Sequence, residues 1–264
     1  MKNLVLLVHE DAGQAARLEA ALDLTRALEA HLRCVDVTPV PVFPGDFDGA
    51  AAGLVLEAGR KAEARNRPVV EGRLGREGVS WDWVENIGDM SVCLLGQSRL
   101  ADAIIVNCKR DEWFDFDQGL VADLVVRAGC PIVATPETDR GLAVSGPVMV
   151  AWDGSAAAAA ALRAGVPLLK LAEVVHIVTV GEIAEGPGPE EAAVYLSRHG
   201  VSAEVHTIET DEPPAPHLLR FAAHTGVGYC LMGAYGHGRL TETLFGGVTR
   251  AMVERALIPL VLAR

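Results

Sequence analysis

The sequence predicts an α/β protein of two tandem units, each a doubly wound, five-stranded parallel sheet. Short apolar runs typical of buried strands alternate with longer, helix-periodic segments along all 264 residues. The same order of elements occurs twice, and the ends of the halves align as GLVADLVVRAGCPIVATP and GGVTRAMVERALIPLVLA. The composition, with 50% apolar and 22% charged residues, is that of a globular chain.

The first unit is expected over residues 1–137. Its strands are predicted at Leu4–Val8, Leu32–Val37, Val79–Glu85, Ala103–Val106 and Ile132–Thr135. Its helices are predicted at Ala12–His31, Ala50–Arg65, Met90–Leu100 and Leu120–Ala128. Trp81 and Trp83 alternate within the third strand, so we expect them to cover one face of the sheet.

The second unit is expected over residues 146–264, with Ser155 capping its first helix. Its strands are predicted at Val148–Trp152, Val174–Val180, Val201–Ile208, Tyr229–Met232 and Ile258–Ala263. Its helices are predicted at Ala156–Leu171, Glu190–His199, Pro216–His224 and Val248–Ala256. Strands that alternate with helices in this way predict a parallel sheet covered on both faces.

The segment MGAYGHGRLTETLFGGVTR, Met232–Arg250, places five glycines between an apolar strand and a helix. A flexible surface loop is one interpretation. The other is an anion site, because ligands of doubly wound sheets bind beyond the strand ends, where strand order reverses. Glycines admit close approach of a phosphate, and the helix that opens at Gly246-Gly247 offers free N–H groups.

The spacing Gly233-x₂-Gly236-x₉-Gly246, together with VAWDGS and HIVTVGE, resembles the universal stress protein family. The resemblance implies a Rossmann-like fold of the adenine nucleotide alpha hydrolase type and an ATP site in the second unit, with ADP or AMP as other ligands and Mg²⁺ as a companion of ATP. Carried over, Val180 would hold the adenine through its backbone, beside the end of the first strand, and Met232 and Gly233 would lie against the adenosine. The remaining site residues implied are Ala151, Trp152 and Asp153 at the first strand, and Gly236, Gly246, Gly247, Val248 and Thr249 around the phosphates.

Two departures from the family pattern affect this expectation. The family has Ser or Thr after the third glycine, where this chain has Gly247, so the preference for a triphosphate stays open. The first unit has NCKRDEWFDFDQGL in place of the glycine loop and retains only Gly119. Its four carboxylates, Asp111, Glu112, Asp115 and Asp117, would repel a polyphosphate, so we expect one nucleotide site per chain.

The resemblance also implies an assembly, because the last strands of the family pair across a dimer. We therefore expect Ile132–Thr135 and Pro259–Leu262 to pair within one chain as an internal pseudo-dimer, with a further homodimer as a second possibility. The protein partners of such a molecule are unknown.

The expected function is that of a cytoplasmic stress-response sensor or switch that binds an adenine nucleotide. A slow nucleotide hydrolase or transferase, with His237 or Asp153 as the base, and a binding module for another small ligand are the alternatives. The net charge of −12 argues against nucleic-acid binding, and the apolar runs are too short to predict a membrane span. No catalytic residue and no side-chain metal site are predicted, since no Walker A loop is present and the histidines lack zinc-site spacing. The five cysteines are expected to act as small hydrophobic residues.

Overall fold

A computed structural model describes residues 1–40, 49–108, 119–138, 141–183, 185–234 and 247–264 of the chain, without the side chains of 49–52. The strands are β1 (Asn3–Val8), β2 (His31–Pro39), β3 (Ser80–Gly88), β4 (Ala103–Asn107), β5 (Ile132–Thr135), β6 (Val148–Ala151), β7 (Val175–Val180), β8 (Ala203–Ile208), β9 (Tyr229–Gly233) and β10 (Leu260–Ala263). The helices are α1 (Gln14–Leu28), α2 (Gly49–Glu77), α3 (Met90–Gln97), α4 (Leu120–Arg127), α5 (Ala156–Leu169), α6 (Pro189–Arg198), α7 (Pro214–Thr225) and α8 (Gly247–Arg255). None of the described helices is long and apolar enough to cross a membrane.

All ten strands form one sheet in the order β3-β2-β1-β4-β5-β10-β9-β6-β7-β8. Every neighbouring pair is parallel except β5 and β10, which run antiparallel with Val133 opposite Val261. This contact confirms the predicted pairing of the two final strands within one chain. The predicted α/β class is therefore confirmed, with the two five-stranded units joined edge to edge into a single sheet.

Strand order reverses once in each half of the sheet. β1 lies between β2 and β4, and β6 lies between β7 and β9. In each half, the second and third strands therefore lie on one side of the central strand, and the fourth and fifth lie on the other side. A crevice opens beyond the carboxyl ends of the strands at such a point. The fold thus provides two candidate crevices, one beyond β1 and β4 and one beyond β6 and β9.

Alternate residues of each strand enter the cores on the two faces of the sheet. Leu4 and Leu6 of β1 pack into one core, whereas Val5 and Leu7 pack into the other. Because both faces of the central strands are buried, their sequences are continuous apolar runs and do not alternate between apolar and polar residues. Trp81 and Trp83 both pack against the core that contains Leu4 and Leu6, as their alternation predicts.

Helix α2 differs most from the sequence expectation. The predicted helix ends at Arg65, but the observed one continues to Glu77 with Pro68 inside it. Proline disfavours a helix interior because it lacks an N–H group and crowds the preceding turn. The last turns are stabilised by packing, because Val70 and Leu74 are buried one turn apart in the core under the sheet.

Candidate functional site

A cavity of about 250 Å³ lies beyond the carboxyl ends of β6 and β9, at the second reversal of strand order. Nine of the eleven predicted site residues belong to the described part of the chain, and all nine line it: Ala151, Trp152, Asp153, Val180, Met232, Gly233, Gly247, Val248 and Thr249. Gly236 and Gly246 lie outside the described residues, as does His237. The structure therefore brings the described members of the predicted site together in one place.

One wall of the cavity is apolar. Val178, Met232 and Leu218 are buried and line it together with Ala151 and Pro214. These side chains come from three adjacent strands and from α7, which packs over the strands near the cavity. A flat apolar group such as a purine base can be desolvated here without leaving a charged group unpaired.

The backbone of Val180 faces this cavity because of the strand register. β6 ends at Ala151, which lies opposite Val178, so β7 extends two residues beyond its neighbour. The Val178 carbonyl accepts from the Trp152 amide at 2.9 Å, whereas the Gly181 amide donates to Ile208 of β8 at 2.9 Å. Successive residues of a parallel strand bond to opposite neighbours, so the peptide groups of Val180 point to the side where β6 has ended.

Helix α8 begins at the rim of the cavity. Gly247, Val248 and Thr249 form its first turn and line the cavity, and Thr249 is buried. The first N–H groups of a helix lack intrahelical partners, and the helix dipole adds partial positive charge at this end. The arrangement is suited to an anion.

Gly233 is required for packing at the end of β9. A Cβ atom at this position would lie 2.6 Å from the carbonyl carbon of Ala157, in the first turn of α5. No side chain can occupy that space without moving the helix. The glycine therefore allows α5 to approach the strand end, in addition to lining the cavity.

The turn after β6 is fixed by local hydrogen bonds. Ser155 caps α5 as predicted, its hydroxyl accepting from the Ala158 amide at 3.1 Å, and the Asp153 carboxylate accepts from the Ser155 amide at 3.0 Å. The Trp152 indole N–H donates to the Pro187 carbonyl at 3.0 Å. These bonds hold the Asp153 carboxylate at the cavity rim and tie the segment after β7 to it.

The equivalent crevice in the first half is filled by the protein's own side chains. Asn107 ends β4 where Gly233 ends β9, because both strands pair from their first residue with the start of a central strand. Its side chain lies against Gly13, where an added Cβ would be 2.6 Å from Asn107 Oδ1, and Nδ2 donates to the Gly13 carbonyl. In the second half, the glycine (Gly233) ends the strand and faces the first turn of α5. In the first half, the glycine (Gly13) precedes α1 and faces the side chain of Asn107, which ends the strand.

The guanidinium of Arg17 is fully buried and contacts the Asn107 side chain. We call these two side chains the plug of the first half. Its Nε donates to the Leu7 carbonyl at 2.8 Å, and Nη2 donates to the His9 carbonyl at 3.0 Å. Nη1 contacts Asp11 Oδ2 at 3.0 Å and donates to Asn107. The carbonyls at the end of β1 are therefore already satisfied by a cation of this chain.

A separate polar cavity of about 410 Å³ lies beside β2 and β3 in the first half. Burial, together with the nearby carboxylates Glu63 and Glu85, raises the pKa of Asp36 to about 6. Sequence reasoning missed this cavity because its acidic residues come from three separate elements. No motif marks them.

The buried cysteines Cys34 and Cys230 are free thiols that are poorly suited to nucleophilic chemistry. Burial raises the pKa of Cys230, in β9, to about 12, and that of Cys34, in β2, to about 12 as well. The expected role of Cys34 and Cys230 as small hydrophobic residues is confirmed, since both are fully buried.

The family model described as "Universal stress protein family" matches residues 145–264. The chain is 27% identical to universal stress protein Slr1230 of Synechocystis over 206 residues, which cover 72% of this chain and 63% of that protein. It is 30% identical to universal stress protein Mb2028c of Mycobacterium bovis over 166 residues, 54% of each. The matches thus span 63% and 54% of the length of these two relatives.

The fold of the whole chain is similar to the crystal structure of a universal stress protein from Archaeoglobus fulgidus. The TM-score is 0.75 at 15% identity, and the match covers 99% of this chain and 95% of the other. The family model, the curated relatives and the fold agree. Residues 145–264 match the universal stress protein family, and the similarity to a curated protein of that name extends over 72% of the chain.

Proposed function

We propose that the second half of the chain binds one adenine nucleotide, with ATP as the first candidate, and that the protein works as a nucleotide-dependent sensor or switch. The observation that carries the proposal is the convergence of three recognition elements on one cavity. These are the apolar wall, the outward-facing peptide of Val180 and the start of α8.

Each part of a nucleotide has a matching surface. The base would lie against Val178, Met232 and Leu218, with its polar edge at the Val180 peptide, which offers one donor and one acceptor. The phosphates would lie at the first turn of α8, where Thr249 can add a hydroxyl donor.

The charge of the phosphates has to be balanced. Among the described residues that line the cavity there is no lysine or arginine, and Asp153 is the only carboxylate. Mg²⁺, when bound with ATP, would supply positive charge to the phosphates, and we propose Asp153 as its protein ligand because it is the carboxylate among the described lining residues. The N–H groups of Gly247, Val248 and Thr249 would supply partial positive charge from the protein itself.

A binding role fits this lining better than rapid turnover. The Asp153 carboxylate already accepts from the Ser155 amide, and no lysine or arginine among the described lining residues can stabilise a developing charge. We therefore expect any ATP hydrolysis to be far slower than the median enzyme rate of about 10 s⁻¹.

The first half is proposed to bind no nucleotide. Its crevice contains the Asn107 side chain and the Arg17 guanidinium, and both are buried and hydrogen-bonded within the protein. A ligand would have to displace a buried cation from at least four partners. This argument is independent of the carboxylates at residues 111–117, which lie outside the described residues.

The proposal is tested by identifying the ligand. Native mass spectrometry of the purified chain should show a bound adenine nucleotide, or ATP, ADP or AMP should bind when added. At 100 times its dissociation constant, the bound nucleotide should stabilise the fold by about 2.7 kcal/mol, which a thermal shift assay detects. A different co-purifying molecule, with no response to any adenine nucleotide, would refute the proposal.

A further inference from the structure

Three potential metal ligands converge on β7 and β8, on the face covered by α7. His176 Nδ1 lies 3.1 Å from His206 Nε2 and 3.3 Å from Glu204 Oε2. His206 Nε2 lies 3.7 Å from the same Glu204 oxygen. The three donor atoms thus form a small triangle, one atom from each side chain.

The strand register produces this triangle. His176 of β7 is opposite Glu204 of β8, and His206 is two residues further along β8, opposite Val178. Residues two apart on a strand share a face, so all three side chains project toward the same helix. Phe221 of α7 packs against both imidazoles, with ring centroids 5.7 Å from His176 and 5.0 Å from His206.

The triangle has the dimensions of one face of a tetrahedral zinc site. Zinc lies about 2.0–2.1 Å from histidine nitrogen and about 2.0–2.2 Å from carboxylate oxygen, so tetrahedral angles separate the ligand atoms by about 3.3–3.5 Å. The observed 3.1, 3.3 and 3.7 Å surround that range. Small side-chain rotations would equalise them.

The chemistry of the donors selects the metal. Two imidazoles and one carboxylate favour Zn²⁺ and similar transition metals over Mg²⁺ or Ca²⁺, which prefer oxygen ligands. The Glu204 carboxylate supplies a negative charge, and its exposed side chain leaves the fourth position open to solvent.

We propose that His176, Glu204 and His206 form a binding site for one Zn²⁺ ion, with a water molecule as the fourth ligand. The site is distinct from the nucleotide cavity, since none of these three residues is among the described residues that line it. Leu218 and Phe221 connect the two sites, because Leu218 lines the nucleotide cavity and Phe221 packs on the histidines. The zinc proposal does not depend on the nucleotide proposal.

Calorimetric titration of the untagged, chelator-treated full chain with ZnCl₂ tests the site. We expect one Zn²⁺ per chain, and Co²⁺ in its place should give the visible absorption of a four-coordinate site. His206→Ala and Glu204→Gln should weaken Zn²⁺ binding by roughly tenfold or more, since removal of even an outer partner costs that much. Both positions are partly or largely exposed, so these variants should fold.

His224→Ala is the matched control, because His224 is an exposed histidine of α7 outside the triangle. It should bind Zn²⁺ like the unmodified chain, with circular dichroism confirming that all variants fold. Failure of the unmodified chain to saturate at about 1 mM Zn²⁺ would overturn the proposal. Unchanged affinity in folded His206→Ala and Glu204→Gln would overturn it too, since the triangle would then be only a hydrogen-bonded cluster.

Discussion

Replacing Gly247 with aspartate is expected to abolish nucleotide binding while leaving the protein folded. A Cβ at Gly247 would meet no atom of the described residues within 4 Å, and Gly247 lies in the first turn of α8, so the substitution causes no clash with the described part of the chain. An acidic residue in the first turn stabilises a helix by about 0.3–1 kcal/mol. It also places a negative charge where the phosphates would bind.

The expected loss is large because like charges about 4 Å apart repel by about 4 kcal/mol at an effective dielectric constant of about 20. That corresponds to roughly a thousandfold loss of affinity, measured by titration calorimetry with ATP. Gly119→Asp is the control at the N-cap of α4 in the first half, where φ is −91° and an added Cβ also meets no atom of the described residues within 4 Å. It should bind ATP normally, and equal losses in both variants would contradict the assignment of the site to the second half.

Replacing Arg17 with alanine is expected to lower the free energy of unfolding by about 3–5 kcal/mol, the usual effect of breaking a buried ion pair. The variant leaves the carbonyls of Leu7 and His9 and the nearly buried Asp11 without their guanidinium partner. Denaturant unfolding measures the change through the midpoint at constant slope.

Arg73→Ala is the control for this experiment. Arg73 contacts Glu19 at 2.9 Å and Glu77 at 3.0 Å, but its side chain is 40% exposed, so its loss should cost at most about 1 kcal/mol. Similar small effects in both variants would show that the Arg17 network does not hold the end of β1 together.

The fold was predictable because its strands are continuous apolar runs separated by helices. The pairing of β5 with β10 was implied by the family resemblance together with the exposed edge expected at a final strand, and not by the apolar pattern alone. Helix α2 was not predictable beyond Arg65, because Pro68 signals a break and only the burial of Val70 and Leu74 stabilises the turns after it.

The candidate site was predictable where a residue has a backbone role. Glycines mark the end of β9 and the start of α8, and the nine described residues of the predicted site line one cavity. The plug in the first half was not predictable, because an arginine in a helix normally faces solvent, whereas Arg17 is buried. The triangle of His176, Glu204 and His206 depends on the register of β7 against β8, which spacing along the chain does not indicate.

The central claim is that one half of this two-part sheet binds a nucleotide and the other does not. Titration calorimetry of the unmodified full chain with ATP measures the number of sites directly. The account predicts one ATP per chain, bound at the cavity beyond β6 and β9. Two equal sites per chain, or no binding of any adenine nucleotide, would contradict it.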